Sequence, residues 1–185
     1  MNRDEALSIV REHVKSETLI RHMLAVEAAL RFYARKFGQD EELWGITGLL
    51  HDFDWEIHPD LQRHPAAGAP ILRERGVPEE VVRAILSHGI DTGVPRASLL
   101  EKTLAACDDL TGLIAAVALV RPSRSLADLT ASSVKKKWKD RGFAAGANRE
   151  DIAQGAQELG VELWEHVENV IHGMQPAAAE LGLNG

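Results

Sequence analysis

The pair His51–Asp52 is the first feature of the sequence that could carry chemistry. It follows the largely apolar run Ile46 to Leu50, which is typical of the end of a helix. Imidazole nitrogen and carboxylate oxygen together form a ligand set for divalent ions such as zinc, iron or manganese. Adjacent helical residues point about 100° apart, so both side chains can reach one ion only from a helix end or edge. The sequence therefore predicts a metal site here.

Further histidines and a pair of aspartates stand in a definite order around His51–Asp52. The order is His22, then His51–Asp52, then His88, then Asp108. The flanking phrases are RHMLAVEAAL, GLLHDFDWE, RHPAAGAPILRERGVPEEVVRAILSHG and LAACDDLTGL. With this order and these flanks, the chain resembles the HD superfamily of metal-dependent phosphohydrolases over about residues 19–113. The remaining C-terminal part resembles a bacterial subgroup of predicted HD hydrolases.

The resemblance implies which side chains hold the metal. The expected ligands of one ion are His22, His51, Asp52 and Asp108. In the family, the last aspartate follows a small residue within a helix. This favours Asp108, which follows Cys107, while Asp109 stays open as the alternative.

Two more histidines stand where HD proteins with two metals have additional ligands. His64 and His88 lie between the His–Asp pair and the last aspartate, so the resemblance implies a second ion bridged by Asp52. For both histidines the alternative is a hydrogen bond to a ligand or a contact with substrate. The predicted cofactor is therefore one or two divalent ions. The ligand types fit manganese, iron, cobalt, nickel, magnesium or zinc.

The residues after His51–Asp52 depart from a common HD pattern. Many relatives continue with Ile–Gly and then a basic residue, whereas this chain continues with Phe53–Asp54. A lysine-assisted mechanism is therefore not carried over. We predict two catalytic carboxylates, Asp52 at the metal and Asp54 as a general acid or base or as a group that orients water. The basic candidates for phosphate contact are Arg21, Arg63, Lys102, Arg121 and Lys135–Lys137.

The function implied by the resemblance is that of a metal-dependent phosphohydrolase acting on a small phosphate ester or nucleotide. A metal-activated water would attack phosphorus, and cationic side chains would offset charge on the phosphate oxygens. A di-iron oxygenase of the same fold is one alternative, and it requires both His64 and His88 as ligands. A non-catalytic nucleotide- or metal-binding protein is another, although the complete ligand set weighs against it.

Several other polar and aromatic residues are predicted to be structural. The histidines expected at the surface are His13, His58, His166 and His172. Lys135–Lys139 is expected to form a solvated helix face that Trp138 anchors to the core. The segment 143–149 is expected to be a plain helix connection, with a lid as the alternative. Trp55 is the aromatic residue expected to line the pocket.

Apolar residues at helical spacing recur along nearly the whole chain. An N-terminal helix follows Asn2, which forms a capping box with Glu5. Further helices are predicted at about residues 17–37, 40–51, 64–76, 79–89, 98–120, 126–139, 149–159 and 161–181, with an irregular segment at 52–63. We therefore predict an all-α fold, a single compact helical bundle over residues 1–185. Its metal core lies at about 19–113, and C-terminal helices at about 125–181 pack on it.

The composition is that of a globular protein with an acidic surplus. Lys and Arg number 21 against 28 Asp and Glu, which gives a formal net charge of −7. Nucleic acids and anionic membranes are therefore disfavoured partners, since both require a basic face. The single cysteine, Cys107, is predicted to be a core residue, typical of a reducing compartment. With no signal pattern or membrane-length apolar run, the chain is predicted to be cytoplasmic. Apolar faces such as Val161–Val170 suit an interface between copies of the chain as well as a core, so the sequence leaves open whether the protein is a homo-oligomer.

Overall fold

Helices form most of the chain. A computed structural model describes residues 1–89 and 91–185. The helices are α1 (Arg3–His13), α2 (Glu17–Phe37), α3 (Glu41–Leu50), α4 (Ala69–Glu74), α5 (Glu79–His88), α6 (Leu99–Leu119), α7 (Ala131–Trp138), α8 (Arg149–Leu159), α9 (Leu163–Met174) and α10 (Ala178–Leu181). Within the described ranges the only extended pairing is an isolated bridge between Ser125 and Asn184. The all-α prediction is therefore confirmed.

Side-chain caps set the helix boundaries where the sequence predicts them. Asn2 and Glu5 form the predicted capping box at the start of α1, and Ser98 with Glu101 does the same for α6. Each pair satisfies backbone N–H groups that the first turn of a helix leaves without partners. At the C-terminal end of α2, Gly38 adopts the left-handed conformation with φ 65°. A local signal therefore sets the start of α6 and the end of α2.

Two prolines shorten helices that the apolar pattern extends too far. The helix predicted from residue 64 begins only at α4, because Pro70 occupies its first turn, where a missing N–H is tolerated. The helix predicted at 161–181 is divided into α9 and α10 by a 3₁₀ turn that contains Pro176. Both differences follow from the inability of proline to donate a helical hydrogen bond.

The start of α7 also differs from the prediction. The sequence pattern places a helix from residue 126, but the backbone N–H of Leu126 donates to the carbonyl of Leu183 at 2.9 Å. This hydrogen bond ties the segment before α7 to the C-terminal end of the chain. Both leucines are buried. The segment before α7 thus pairs with the C-terminal end of the chain, and α7 begins at Ala131.

The two longest helices, α2 and α6, form the centre of the fold. α2 contacts α3, α6 and α9, and α6 also contacts α5 and α8. α1 covers α3, and α7 covers α9. Their buried apolar side chains form one continuous cluster. In the described ranges no helix is long and apolar enough to cross a membrane.

Two glycines allow helices to approach at the centre. A Cβ on Gly48 of α3 would lie 2.7 Å from the backbone nitrogen of Glu27 on α2, closer than side chains allow. A Cβ on Gly155 of α8 would likewise lie 2.7 Å from the Cα of Ala106 on α6. The first contact sets the separation of α2 and α3, and the second sets that of α6 and α8.

The prediction that His166 lies at the surface is wrong. Its side chain is 0% exposed, between α9, α2 and α6. Nε2 lies 2.8 Å from the carbonyl of Ala106, which can only accept, so Nε2 carries the proton. Nδ1 therefore accepts from the hydroxyl of Tyr33 at 2.6 Å. Of the other three histidines, His172 is exposed, as predicted, and the remaining two are half-buried.

The buried His166 predicts a pH dependence of stability. Burial disfavours the imidazolium and lowers the pKa of His166, although its hydrogen bond to Ala106 opposes the shift. Below about pH 6.5 the unfolded chain therefore binds a proton that the folded protein excludes, so the free energy of unfolding falls as the pH falls. The extra slope is at most about 1.4 kcal/mol per pH unit.

Urea unfolding of the wild type and of His166→Gln between pH 8 and pH 5 measures this slope. Other titrating groups contribute alike to both proteins, so the difference between the two slopes isolates the contribution of His166. Parallel stability curves for the two proteins would contradict the assignment.

Candidate metal centre

The predicted ligands come from four helices and one irregular segment. His22 lies in α2, His51 is the C-cap of α3, and His88 is the last residue of α5. Asp108 lies near the middle of α6. The segment after α3 supplies the remaining three polar groups, Asp52, Asp54 and His64. The packing of α2, α3, α5 and α6 directs these positions to one place.

The first cluster joins His22, His51 and Asp108. Nε2 of His22 lies 3.2 Å from Nε2 of His51 and 3.0 Å from Oδ1 of Asp108. Nε2 of His51 lies 3.5 Å from the same oxygen. The three ligand atoms could hold one metal ion. Residues that are far apart in the sequence are thus brought within coordination distance of a common point.

The second cluster joins Asp52, His64 and His88. Oδ1 of Asp52 lies 3.2 Å from Nε2 of His64 and 3.5 Å from Nε2 of His88. The two Nε2 atoms are 3.1 Å apart. These three groups also could hold one ion.

Asp52 belongs to both clusters. Its second oxygen, Oδ2, faces the first cluster, 3.4 Å from Nε2 of His51 and 3.7 Å from Nε2 of His22. One carboxylate therefore presents one oxygen to each cluster. This is the arrangement of a bridging ligand between two ions.

Helix ends fix the orientation of two of the rings. Nδ1 of His51 donates to the carbonyl of Gly48 at 2.7 Å, and Nδ1 of His88 donates to the carbonyl of Ile85. Both carbonyls belong to a last helical turn, where backbone acceptors have no partner within the helix. With the proton on Nδ1, the lone pair of the ring lies on Nε2 and points into the cluster.

The donor set fits divalent ions. The donor separations of 3.0 to 3.7 Å are close to the edges, about 3.0 to 3.4 Å, of octahedra or tetrahedra with metal–ligand bonds of about 2.1 Å. The neutral rings of His64 and His88 would place two nitrogen lone pairs 3.1 Å apart. Such a pair is repulsive unless a proton or a cation lies between them. Nitrogen and carboxylate donors without thiolate leave the metal among the ions that the sequence predicts.

The electrostatic field of the site also favours a cation. Burial disfavours the imidazolium form of His51, but the charges of Asp52 and Asp108 outweigh it and raise its pKa to about 9. Burial likewise opposes charge on His64, yet Asp52 and Asp54 raise its pKa to about 9. Although burial acts in the opposite direction, His51 and the other histidines hold the pKa of Asp52 and of Asp108 well below the usual range. The site therefore concentrates negative charge where the ring nitrogens converge.

Asp54 lies behind the second cluster. Its side chain is 0% exposed, and its Oδ1 accepts from Nδ1 of His64 at 2.7 Å. A Cβ on Gly68 would lie 2.6 Å from its Cγ, so the glycine makes room for the carboxylate. The ring of His64 also has an edge contact with Trp55, at 5.0 Å between centroids. This geometry suits a residue that orients His64, whereas the general acid or base role stays a prediction.

Removing the charge of Asp54 is expected to weaken the binding of an ion at the second cluster and to leave the first cluster unaffected. Asp54→Asn keeps the volume but removes the carboxylate that holds His64 in the metal-binding tautomer. Loss of such a partner typically lowers metal affinity or activity about 10–100-fold. In a titration with a chelator, one ion of the variant should be released at a lower chelator concentration than in the wild type. The other ion should be released at the same concentration in both proteins.

A different result separates the two roles of Asp54. If the variant binds both ions as the wild type does and only the pH profile of kcat changes, then Asp54 transfers protons and the orienting role is wrong.

Asp109 occupies a different environment from Asp108. Its Oδ2 accepts from the backbone N–H of Asn148 at 3.3 Å, at the start of α8. Burial and the neighbouring charge of Asp108 raise the pKa of Asp109 to about 6. The structure thus brings Asp108 into the first cluster and joins Asp109 to the segment before α8.

A cavity of about 510 Å³ opens onto both clusters. Five of the six predicted ligands line it together with Trp55, Asp109 and Gly112; these ligands are His22, Asp52, His64, His88 and Asp108. Ala144, Gly146 and Ala147 also line it. The segment that the sequence predicts as a plain connection between α7 and α8 is therefore also part of this metal cavity.

Arg149 holds that segment in place, and the sequence analysis does not single it out. The guanidinium is 3% exposed and donates to the carbonyls of Phe143, Ala144 and Ala147 at 2.6 to 2.9 Å. A buried arginine that binds backbone carbonyls leaves no charge pattern in the sequence. Its role follows from the loop path, which local patterns do not encode.

The basic residues proposed for phosphate contact are distributed over the surface. Lys102 lines a polar cleft next to the metal cavity, and Arg21 lines a groove on its other side. Four of the others have partners outside the cavity lining, namely Arg63 with Asp60, Arg121 with Asp128, Lys135 with the Trp164 ring and Lys137 with the Phe143 ring. The expected anchoring of the lysine-rich helix is seen in the edge contact of Trp138 with Trp164.

Comparison with known proteins identifies a matching family and several similar proteins. The model of the HD domain matches residues 19–113. A ribonuclease Y of Desulfotalea psychrophila is 28% identical over 155 residues, which are 77% of this chain and 28% of that protein. An uncharacterised protein of Methanocaldococcus jannaschii is 33% identical over 115 residues, which are 60% of this chain and 66% of that protein.

The relatives that are ribonucleases are much longer than the matched region. A ribonuclease Y of Oleidesulfovibrio alaskensis is 30% identical over 98 residues, 52% of this chain but only 18% of that protein. The chain thus spans less than a third of these relatives. No solved structure matches the chain significantly.

Proposed function

The chain belongs to the HD domain family, and on that premise we propose that it is a metal-dependent phosphohydrolase with a two-ion centre. The proposed ligands are His22, His51 and Asp108 for one ion and His64 and His88 for the other, with Asp52 shared. The substrate class is a small phosphate ester or nucleotide.

The observation that carries this proposal is the position of Asp52. Its two oxygens face opposite clusters, Oδ2 at 3.4 Å from His51 and Oδ1 at 3.2 Å from His64. Two ions joined by a carboxylate suit phosphoryl transfer, in which both the attacking and the leaving oxygen need stabilisation. Two independent sites would not require the shared carboxylate.

The residues of the chain have separable roles in this proposal. Bound divalent ions supply Lewis acidity, which polarises a phosphoryl oxygen and acidifies a water molecule. Asp54 orients His64 through Nδ1, and the backbone carbonyls of Gly48 and Ile85 orient His51 and His88. Trp55 and the loop held by Arg149 form part of the cavity wall. The site is therefore organised before a substrate enters.

The relatives support hydrolysis of phosphate esters. Several bear the name ribonuclease Y, and ribonucleases cleave phosphodiester bonds. The overall charge of −7 is unfavourable for binding long nucleic acids. We therefore keep a small substrate as the proposal, and RNA is an outcome that a substrate screen would detect.

Metal content and phosphate release test the proposal together. After reconstitution with Mn²⁺, Co²⁺ or Fe²⁺ we expect about two ions per chain, measured by elemental analysis, and hydrolysis of 4-nitrophenyl phosphate esters. Removal of the ions with a chelator should abolish the release, and their return should restore it. Failure to bind any ion after reconstitution would contradict the proposal.

The second candidate function is a di-iron oxygenase. It requires both His64 and His88 near a shared carboxylate, and these residues lie within 3.5 Å of Asp52. Two irons per chain with oxygen consumption and no ester hydrolysis would favour this candidate over the phosphohydrolase.

A further inference from the structure

Three cavities adjoin along α6. The metal cavity shares His88, Asp108 and Asp109 with a polar cleft of about 790 Å³. On its other side it shares His22 and Gly112 with an apolar groove of about 280 Å³. The metal centre thus lies between the polar cleft and the apolar groove. It is not at the closed end of a single cavity.

One face of α6 is common to all three cavities. Partly or fully exposed positions recur every three or four residues from Lys102 through Asp108 and Gly112 to Leu119, while the positions between them are buried. At 1.5 Å per residue this face is about 25 Å long. Asp108 lies near its middle. A molecule bound with its phosphorus at the metals could therefore extend along the helix in both directions.

The apolar groove has the chemistry of a hydrocarbon site. Ala115, Ala116 and Leu119 of α6 form one side, and Leu181 and Leu183 near the C-terminus form the other. Leu119 is 44% exposed although it is a large apolar side chain. The remaining lining residues are Thr18, Arg21, His22, Ala25, Thr111 and Gly112. Covering such a concave apolar surface is favourable for an alkyl or aryl group.

Gly112 lies at the junction of the groove and the metal cavity. Apart from its chain neighbours and the backbone of its own helix, no atom of the described residues lies within 4 Å of the position that its Cβ would occupy, and its φ lies outside the left-handed region. Neither packing nor backbone conformation therefore requires glycine, which weakens a helix interior. An open junction between the two spaces does require a small residue here.

The polar cleft differs in character from the groove. Lys102 and Arg96 line it with Gln154 and acidic side chains, and Arg96 pairs with Glu158 at 3.3 Å. Its surface can form hydrogen bonds and ion pairs, and it suits a polar substituent. The two sides of the metal centre are thus adapted to different groups.

From this arrangement we propose that the substrate is an organic phosphodiester that lies along α6, with an apolar substituent between Gly112 and Leu119 and a polar substituent in the cleft beside Lys102. The inference rests on the proposed phosphohydrolase function. Hydrolysis adds one water across one P–O bond. The water oxygen becomes bonded to phosphorus, the ester oxygen leaves as an alcohol with a proton of the water, and a monoester remains.

Two esters with the same leaving group test the two-sided site. With Mn²⁺-loaded protein, kcat/KM for bis(4-nitrophenyl) phosphate should exceed that for 4-nitrophenyl phosphate. Gly112→Leu, which fills the junction, should lower the diester value about tenfold or more, and the ratio of the diester value to the monoester value should fall with it. Gln157→Leu, which adds the same side chain at an exposed position of α8, should change neither value. Hydrolysis of the monoester alone would overturn the inference but leave the phosphohydrolase proposal standing.

Binding of alkylphosphonates tests the groove without turnover, because the C–P bond resists hydrolysis. Affinity for Mn²⁺-loaded protein, measured by calorimetry, should rise about threefold per methylene from methyl- to hexylphosphonate. Gly112→Leu should abolish this rise, so that hexylphosphonate binds the variant no more tightly than methylphosphonate does. Equal affinities for all chain lengths would overturn the apolar site. A protein that binds two ions but neither binds phosphonates nor hydrolyses either ester would contradict the proposed function itself.

Discussion

Replacing Asp52 by alanine is expected to remove both ions and to lower ester hydrolysis by about a thousandfold or more. One oxygen of Asp52 faces His51 and the other faces His64, at 3.4 and 3.2 Å, so a single substitution takes a ligand from each cluster. Outer-shell partners alone are typically worth about 10–100-fold, and a ligand shared by two ions should exceed that. Elemental analysis and initial rates at saturating Mn²⁺ measure the two effects.

A matched set of variants separates ligand loss from unfolding. His172→Ala removes a histidine whose side chain is 52% exposed and pairs with Glu168 on the same helix, and it should retain ions and rate. Asp52→Asn keeps one oxygen donor, so it should bind ions weakly where the alanine variant binds none. Circular dichroism should show the same helix content in all three variants. If Asp52→Ala retained both ions, the shared-ligand assignment would fail.

The fold class and the position of the His–Asp pair follow from local signals. The apolar spacing of α2 and α6, with Ser98 and Gly38 as caps, is sufficient to predict two long helices. The apolar run before His51 places that residue at a helix end, and the structure has it as the C-cap of α3. Both inferences depend only on residues a few positions apart, which is the range over which a helix repeats.

The surroundings of the site depend on contacts that no local pattern encodes. His166 is buried because Ala106 and Tyr33, each at least 60 positions away, supply partners for both ring nitrogens. A histidine on an amphipathic helix gives the same sequence signal whether or not such partners exist. Asp54 likewise contacts His64 only because the intervening segment turns back on itself. The sequence therefore identifies the candidate ligands, and the structure identifies the groups that orient them.

The choice between Asp108 and Asp109 shows how the two kinds of information combine. Both carboxylates occur in one turn of α6, and the family pattern favours Asp108 without excluding its neighbour. Successive helical residues point about 100° apart, so only one can face His22 directly. Oδ1 of Asp108 lies 3.0 Å from His22, whereas Asp109 accepts from Asn148. The structure thus assigns the two carboxylates to different neighbours.

Substitution of each aspartate in turn should therefore have unequal effects. Asp108→Ala is expected to lose the ion held with His22 and His51 and to lower hydrolysis by about a hundredfold or more, since one direct ligand is removed. Asp109→Asn should retain two ions, because its contact to Asn148 can be made by an amide oxygen. Metal content per chain distinguishes the variants independently of activity. Loss of an ion from Asp109→Asn with full occupancy in Asp108→Ala would reverse the assignment and require the first cluster to be rebuilt around Asp109.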